Sequence, residues 1–425
     1  MKSYLRVLRY RDFRFLFLGQ SASAVGDQVV FVALALFVIR RTGSATDLGV
    51  VLASQSLPLI ALILFGGVWA DRGGGAGRKR NMIACDFARA ALHAALAILI
   101  FTGVWRIWEL ALLEAAFGAA RAFFQPAYTG LLPQTVSEDT IQDARALTQS
   151  SQNVAELLGP ALATALVLGA GAGFAFAFDA ATFLVSAALL VAVVPRARGP
   201  EPARTSMLHE LRLGWREVVS RSWVWVTIGV YTGAVMVVYA FWNTLAPLVA
   251  RQVYGGAGLF GVMASVEGAG AVIAALAGVV WRPAKPMRAG LLLAMFWPLP
   301  GLELALAAPL ALVLVTCFAT GFGFALMLIW WETALAHHIP PEALSRVSAY
   351  DWMGSLALLP VGQAVAGPLA TAFGARAVLG VGAAVGLALL FLSLAPRATR
   401  ELGGRPPQLA QQFAREVGVE AGSEA

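Results

Sequence analysis

Residues 158–166 read LGPALATAL and residues 366–373 read AGPLATAF. The shared dipeptide sets Gly159 and Pro160 opposite Gly367 and Pro368. Two further pairs keep nearly the same spacing. GVWADR (67–72) returns as GVVWRP (278–283), and LLPQTVSED, leading to Arg145, returns as HHIPPEALS, leading to Arg346. Self-similarity at one long period is the mark of a duplicated unit. The chain therefore reads as two related halves.

Composition gives the medium. Of 425 residues 59% are hydrophobic and 13% charged, and the mean hydropathy is +0.73. A soluble domain carries roughly 25% charged residues, so this chain cannot cover a water-facing surface of its size. It reads as an all-α polytopic membrane protein. About 20 apolar residues are needed to cross the hydrocarbon core. On that measure the sequence predicts twelve spans, at 13–39, 45–70, 81–102, 107–131, 144–170, 173–194, 223–249, 257–281, 289–306, 309–337, 346–373 and 375–395, broken at points such as Gly43-Ser44, Gly103 and Gly171. The first apolar run reaches Ile39, longer than the 7–15 residues of a signal-peptide core, so it is expected to be retained.

Charge gives the orientation. With the N-terminus inside, 25 of the 31 Lys and Arg fall in cytoplasmic segments, and only Arg40, Arg41, Arg106, Arg251 and Arg376 fall outside. By the positive-inside rule both ends are cytoplasmic in a multi-pass cell-membrane protein. The formal charge of +7 then belongs to basic loops facing the lipid surface, not to nucleic-acid binding. Segment 195–222 divides the spans into halves 1–194 and 223–395. It opens as the linker PRARGPEPAR and continues with Leu208, Leu211, Trp215 and Val218 on one helical face, as in a helix lying in the interface. The tail 396–425 is polar. Six spans followed by six in the same orientation form a parallel repeat about an axis along the membrane normal, with a substrate path between the halves. That arrangement points to a transporter, read here as a monomer.

Enzymatic readings find little support. Residues 66–80, GGVWADRGGGAGRKR, are rich in glycine, but a phosphate-binding loop needs G-x-x-x-x-G-K-[ST] after a strand, and neither is present. Four scattered histidines and Cys85 and Cys317, lodged far apart in apolar stretches, offer no metal site, disulfide framework or cofactor.

The same stretch carries a family resemblance. Gly67, Asp71, Arg72, Gly77, Arg78 and Lys79 resemble the G-x-x-x-D-R-x-G-R-[KR] loop between spans 2 and 3 of the major facilitator superfamily, with four residues (Gly73 to Ala76) where that pattern has one. YRDFRFLFLGQ (10–20), DFARA (86–90), FFQPAYTGLLP (123–133) and FDAATFLVSA (178–187) are similar to the efflux branch that includes macrolide and siderophore exporters and drug:proton antiporters. Gly159 and Pro160 resemble the end of that branch's antiporter motif, although Val154 and Ala163 stand where glycines are usual. The resemblance implies a proton-coupled exporter of small amphiphilic molecules. It also implies that Asp71 latches onto span 11 when the transporter opens outward, with the loop glycines as a flexible insertion.

Ionisable groups at bilayer depth cost roughly 2.5–3.5 kcal/mol on insertion scales and mark function or internal pairing. Asp27, mid-span in VGDQVV, reads as a protonatable or cation-recognising group, or as one hydrogen-bonded to a neighbouring span. Glu156 and Glu267 are gating candidates, and Glu114, Arg121 and Glu332 are cavity candidates. Asp86 and Arg89 stand at i, i+3 and are expected to pair. Asp179 and Asp351 read as helix N-terminal partners, His337 and His338 as solvated, and Trp330 and Trp331 as interfacial belt residues. Tyr231 and Tyr239 lie deeper and suit a bulky amphiphile or cation. Two other readings stay open: import or uniport, and a transporter fold serving as sensor or scaffold. The cargo itself is not legible.

Overall fold

Apolar chain in a bilayer must satisfy its own backbone polar groups, and a helix does this within one segment. The computed structural model describes residues 4–70, 74–196, 207–256, 258–281 and 283–402. Every regular element among them is helical. The first half comprises α1 (Arg11–Thr42), α2 (Ala45–Ala70), α3 (Gly74–Thr102), α4 (Ile107–Leu131), α5 (Ile141–Gly169) and α6 (Ala172–Ala192). After α7 (Met207–Val219) come α8 (Ser222–Ala234), a π-helical turn (Val235–Tyr239), α9 (Ala240–Tyr254), α10 (Leu259–Val280), α11 (Pro286–Ala294), α12 (Leu299–Ala305), α13 (Leu310–His338), α14 (Pro341–Leu356), α15 (Leu359–Phe373) and α16 (Ala375–Leu392). The expected breakers hold: Gly43, Gly103 and Gly171 sit between helices at φ 67°, 73° and 107°, where a Cβ would strain the backbone.

Among the described residues, nine helical stretches are long and apolar enough to cross a membrane. The spans expected at 107–131 and 144–170 are single helices of 25 and 29 residues, but polar side chains such as Glu114, Arg121 and Gln149 keep them from that apolar set. The span expected at 289–306 is broken into α11 and α12. Pro298 and Pro300 lie at the join, and proline removes a backbone donor and disfavours helix before it. Span 346–373 likewise divides into α14 and α15 ahead of Pro360.

We call the end of the bundle where α1, α3, α5, α8, α11 and α14 begin the basic end, because most Lys and Arg lie there, and the opposite end the far end. Within the first half α2 packs on α4 and α6 packs on α1 and α3. Small residues let these backbones close up: a Cβ on Gly118 of α4 would lie 2.0 Å from the carbonyl oxygen of Gln55 on α2. The halves meet where α2 packs on α15 and α5 on α10. Toward the far end one apolar core runs through both halves, joining Ile39 and Leu48 to Leu245, Val249, Phe260 and Ala366. Toward the basic end the core is divided. One cluster, with Phe13, Met82, Leu131 and Leu190, belongs to the first half. Another, with Trp223, Met287, Trp331 and Val347, belongs to the second. Among the described residues the apolar core is thus shared at the far end and divided at the basic end.

Helix α7 seats Gly214 against Arg346 and Tyr350 of α14 and buries Val218, while Arg212, Trp215 and Arg216 stay exposed. Its apolar side is therefore partly committed to the second half rather than wholly to lipid. The side chains of Leu208 and Leu211, and linker residues 197–206, lie outside the described residues.

Candidate functional site

Helix α1 crosses the middle of the first half, and its turn Gln20 to Asp27 faces a polar pocket of about 80 Å³. Asp27 from α1, Arg89 from α3, Arg121 from α4 and Gln152 from α5 line it. Three of the predicted ionisable candidates therefore share one cavity. Glu156 on α5 and Glu267 on α10 lie at the seam between the halves, where these two helices pack on each other. There a Cβ on Gly268 would lie 2.8 Å from the carbonyl oxygen of Glu156, so the two acidic segments cross in backbone contact. Gly159 is the matching close approach beside Asp27. A Cβ there would stand 2.4 Å from the Cβ of Gln28, which presses α5 onto α1. Pro160 is buried next to it.

Behind the pocket wall lies a second polar cluster, and it is sealed. Arg89 pairs with Asp86, and its guanidinium lies 4.0 Å and 4.2 Å from the ring centroids of Phe124 and Phe183, where ring faces stabilise a cation. The hydroxyl of Ser186 donates to Asp86 at 2.7 Å and accepts from Gln20 at 2.9 Å, tying this pair to the pocket. Farther in, His93 Nδ1 lies 2.6 Å from Asp179 Oδ2, and Gln55 Nε2 donates to Glu114 Oε2 at 2.7 Å. His93 is 1% exposed, and Glu114 and Asp179 are fully buried. The imidazole stacks on Phe117 at 4.2 Å. The sequence reading missed His93. It could have been found, since Asp86, Arg89 and His93 recur at i, i+3, i+7 and share one helix face.

Several expectations change. Asp179 is not an N-terminal partner: α6 begins at Ala172, and the carboxyl sits two turns in, on His93. Asp351 is ten residues into α14 and accepts from the Trp331 indole at 2.8 Å. Trp330 and Trp331 are 5% and 4% exposed, packed on Trp281 and Trp223, so they are core residues rather than a belt. Tyr231 stacks on Trp297 at 6.0 Å, away from the pocket, and Glu332 is exposed. Of the loop motif, Asp71 and Arg72 lie outside the described residues, and Gly67 lies in the last turn of α2. The glycines from Gly74 to Gly77 form the first turn of α3 instead of a flexible insertion. Arg78 packs on Gly130. Lys79 donates to the carbonyls of Val191 and Val193 at 2.7 and 2.8 Å, where a cation meets the negative end of α6.

The comparison with known proteins agrees with this architecture. The family described as Transmembrane secretion effector matches residues 2–296, well over half of the chain. The chain belongs to that family. This transmembrane secretion effector is 25% identical over 401 residues to the uncharacterized MFS-type transporter YvqJ of Bacillus subtilis, covering 91% of this chain and 93% of that one. It is 27% identical over 381 residues to the multidrug efflux pump Tap of Mycolicibacterium fortuitum, covering 85% and 90%. Its fold is that of the crystal structure of a bacterial homolog of the human lysosomal transporter Spinster, inward-facing and unoccupied, with a TM-score of 0.68 at 16% identity over 92% of this chain and 98% of that one. The protein is a membrane transporter of the major facilitator type. The pocket and the sealed cluster both fall within the stretch that carries the family match.

Proposed function

We propose that this transporter is a proton-coupled exporter of a small amphiphilic molecule, working by alternating access as a monomer. In this reading α4, α5 and the broken α11–α12 pair cross the bilayer with the nine apolar stretches. That makes twelve spans in two halves related by an axis along the membrane normal. The excess of Lys and Arg at the basic end supports a cytoplasmic location for that end and for both termini. The observation that carries the reading is the divided core. The halves share one apolar cluster at the far end and hold separate clusters at the basic end, which supports access to the Asp27 pocket from the cytoplasmic side.

A pocket of about 80 Å³ is far below the roughly 300–1,000 Å³ of a drug-sized site. It would hold one polar or cationic group of the cargo near Asp27, with the body of the molecule in the cleft beside Tyr239, Glu156 and Glu267. Export rather than import is supported by the efflux relative. The latch residue Asp71 would engage the start of α14 only after the basic ends close. The test is transport in proteoliposomes with an imposed pH gradient and a panel of amphiphilic dyes and drugs. Gradient-driven efflux that falls away in Asp27→Asn is expected, and flux indifferent to the gradient refutes the coupling.

A further inference from the structure

His93, Glu114 and Asp179 come from three helices and are closed off from solvent, yet their hydrogen bonding is incomplete. His93 Nδ1 is taken by Asp179, and Thr182 donates to the other Asp179 oxygen at 3.0 Å. Glu114 Oε2 is taken by Gln55. His93 Nε2 and Glu114 Oε1 face each other at 3.9 Å, and neither has a hydrogen-bond partner among the described residues. That separation is too long for a hydrogen bond, and a buried polar atom without one is costly. One proton decides the matter: carried on either atom it makes that atom a donor, and the pair can then close to hydrogen-bonding distance. The groups that face His93 are Asp179 from α6, Glu114 from α4, Asp27 from α1, and Asp86 with Arg89 on α3 itself; α2 brings the uncharged Gln55. The three buried carboxyls, Asp86, Glu114 and Asp179, against one guanidinium and one imidazole cannot all be ionised away from water without a large desolvation cost, so this cluster holds a shared proton.

Two contacts join this site to the moving parts. Gly26, the neighbour of Asp27, lies directly on Asp179: a Cβ there would be 1.9 Å from Asp179 Oδ1, so the pocket helix rests on the triad. On the other side Gln55 is followed by Ser56, whose hydroxyl donates to Gln363 Oε1 on α15 at 2.5 Å. That bond crosses from one half to the other in the seam of α2 and α15.

We infer that His93, Glu114 and Asp179 form the proton-binding site of the transporter, and that the proton on Glu114 controls the Ser56–Gln363 contact through Gln55. The inference rests on the proton-coupled reading above. Loss of the negative charge on Glu114 weakens its hold on the Gln55 amide, which frees that turn of α2 and with it the bridge to α15. The site is distinct from the cargo pocket, so cargo and proton meet through α1 rather than compete for one carboxylate.

The test uses the full chain in nanodiscs with spin labels on Arg41→Cys and Ala377→Cys, exposed far-end positions in opposite halves, with the distance read by pulsed EPR between pH 5.5 and 8.5. The parent protein is expected to shift its distance distribution with pH. Glu114→Gln, isosteric and uncharged, and His93→Gln are expected to lose that shift. Gln55→Ala is expected to keep proton uptake, followed with a pH indicator after a pH jump, while its distances no longer follow pH. Should His93→Gln not fold, the Glu114→Gln and Gln55→Ala pair decides alone. Variants that follow pH with the parent's midpoint and amplitude overturn the assignment, and if gradient-driven flux persists in them the coupling reading survives. A parent protein with neither a pH-dependent distance nor gradient-driven flux overturns both.

Discussion

Gly268→Ala asks whether the α5–α10 seam, crossing near mid-bundle, holds the far end closed. The α5–α10 seam is a backbone-on-backbone crossing, and the new methyl would sit 2.8 Å from both the carbonyl oxygen of Glu156 and the Cα of Leu157. Ordinary contact needs several tenths of an ångström more, and neither atom is the end of a flexible side chain that can swing away. The helices must part. Overpacking of this kind costs about 1–3 kcal/mol, charged only to the arrangement in which the far ends touch, because the methyl meets nothing once they separate. At about 1.4 kcal/mol per factor of ten the closed-to-open ratio should fall by about 5- to 150-fold. The readout is a cross-link. The hydroxyls of Thr46 and Thr371 lie 3.5 Å apart across the same end, so a Thr46→Cys/Thr371→Cys pair can form a disulfide when the far end is closed. Cys85 and Cys317 are buried and do not compete. Oxidant-driven cross-linking, which follows the closed fraction, should slow in Gly268→Ala by up to the same factor. An unchanged rate at normal expression would show that the α5–α10 crossing does not oppose opening, and the reasoning would be wrong.

Other outcomes follow from the same geometry. Arg89→Met strands the buried Asp86 carboxyl and should cost about 3–5 kcal/mol, seen as a lowered unfolding temperature in detergent. Asp86→Asn added to it should restore much of the loss. Lys79→Met removes the cation from the end of α6 and should lower stability by about 0.3–1 kcal/mol, with faster amide exchange confined to residues 190–194. Asp27→Asn should abolish gradient-driven efflux at normal surface expression, measured in proteoliposomes. Asp71→Asn should leave the far-end cross-link intact yet slow transport; unimpaired transport would remove the latch from the cycle.

What sequence could reveal here was set by distance along the chain. The spans, the Gly breakers and the Asp86–Arg89 pair are local or periodic, and they were legible because a helix makes i, i+3 neighbours by itself. The triad was not. His93 and Asp179 are 86 positions apart, and only the packing of α3 on α6 brings them together. A lone His in an apolar run looks like core until its partner is known. Trp330 and Trp331 were misplaced for the opposite reason: position near a span end suggests an interface, but Trp281 after α10 covers Trp330, and α8 and α14 cover Trp331 and supply Asp351. The break at α11–α12 was visible in Pro298 and Pro300, yet hydropathy averages over prolines. Of the loop motif, the cationic half proved to be the anchored start of a helix.

The π-helical turn at Val235–Tyr239 separates two allegiances. Before it, Trp223 and Val224 belong to the core that the second half keeps for itself; after it, Phe241, Leu245 and Val249 belong to the core shared with the first half. A π turn takes in one residue more than an α turn, so the two ends of this span need not keep a common rotation about its axis. It is a wrist. One end can stay gripped in its own half while the other follows whatever the partner half does.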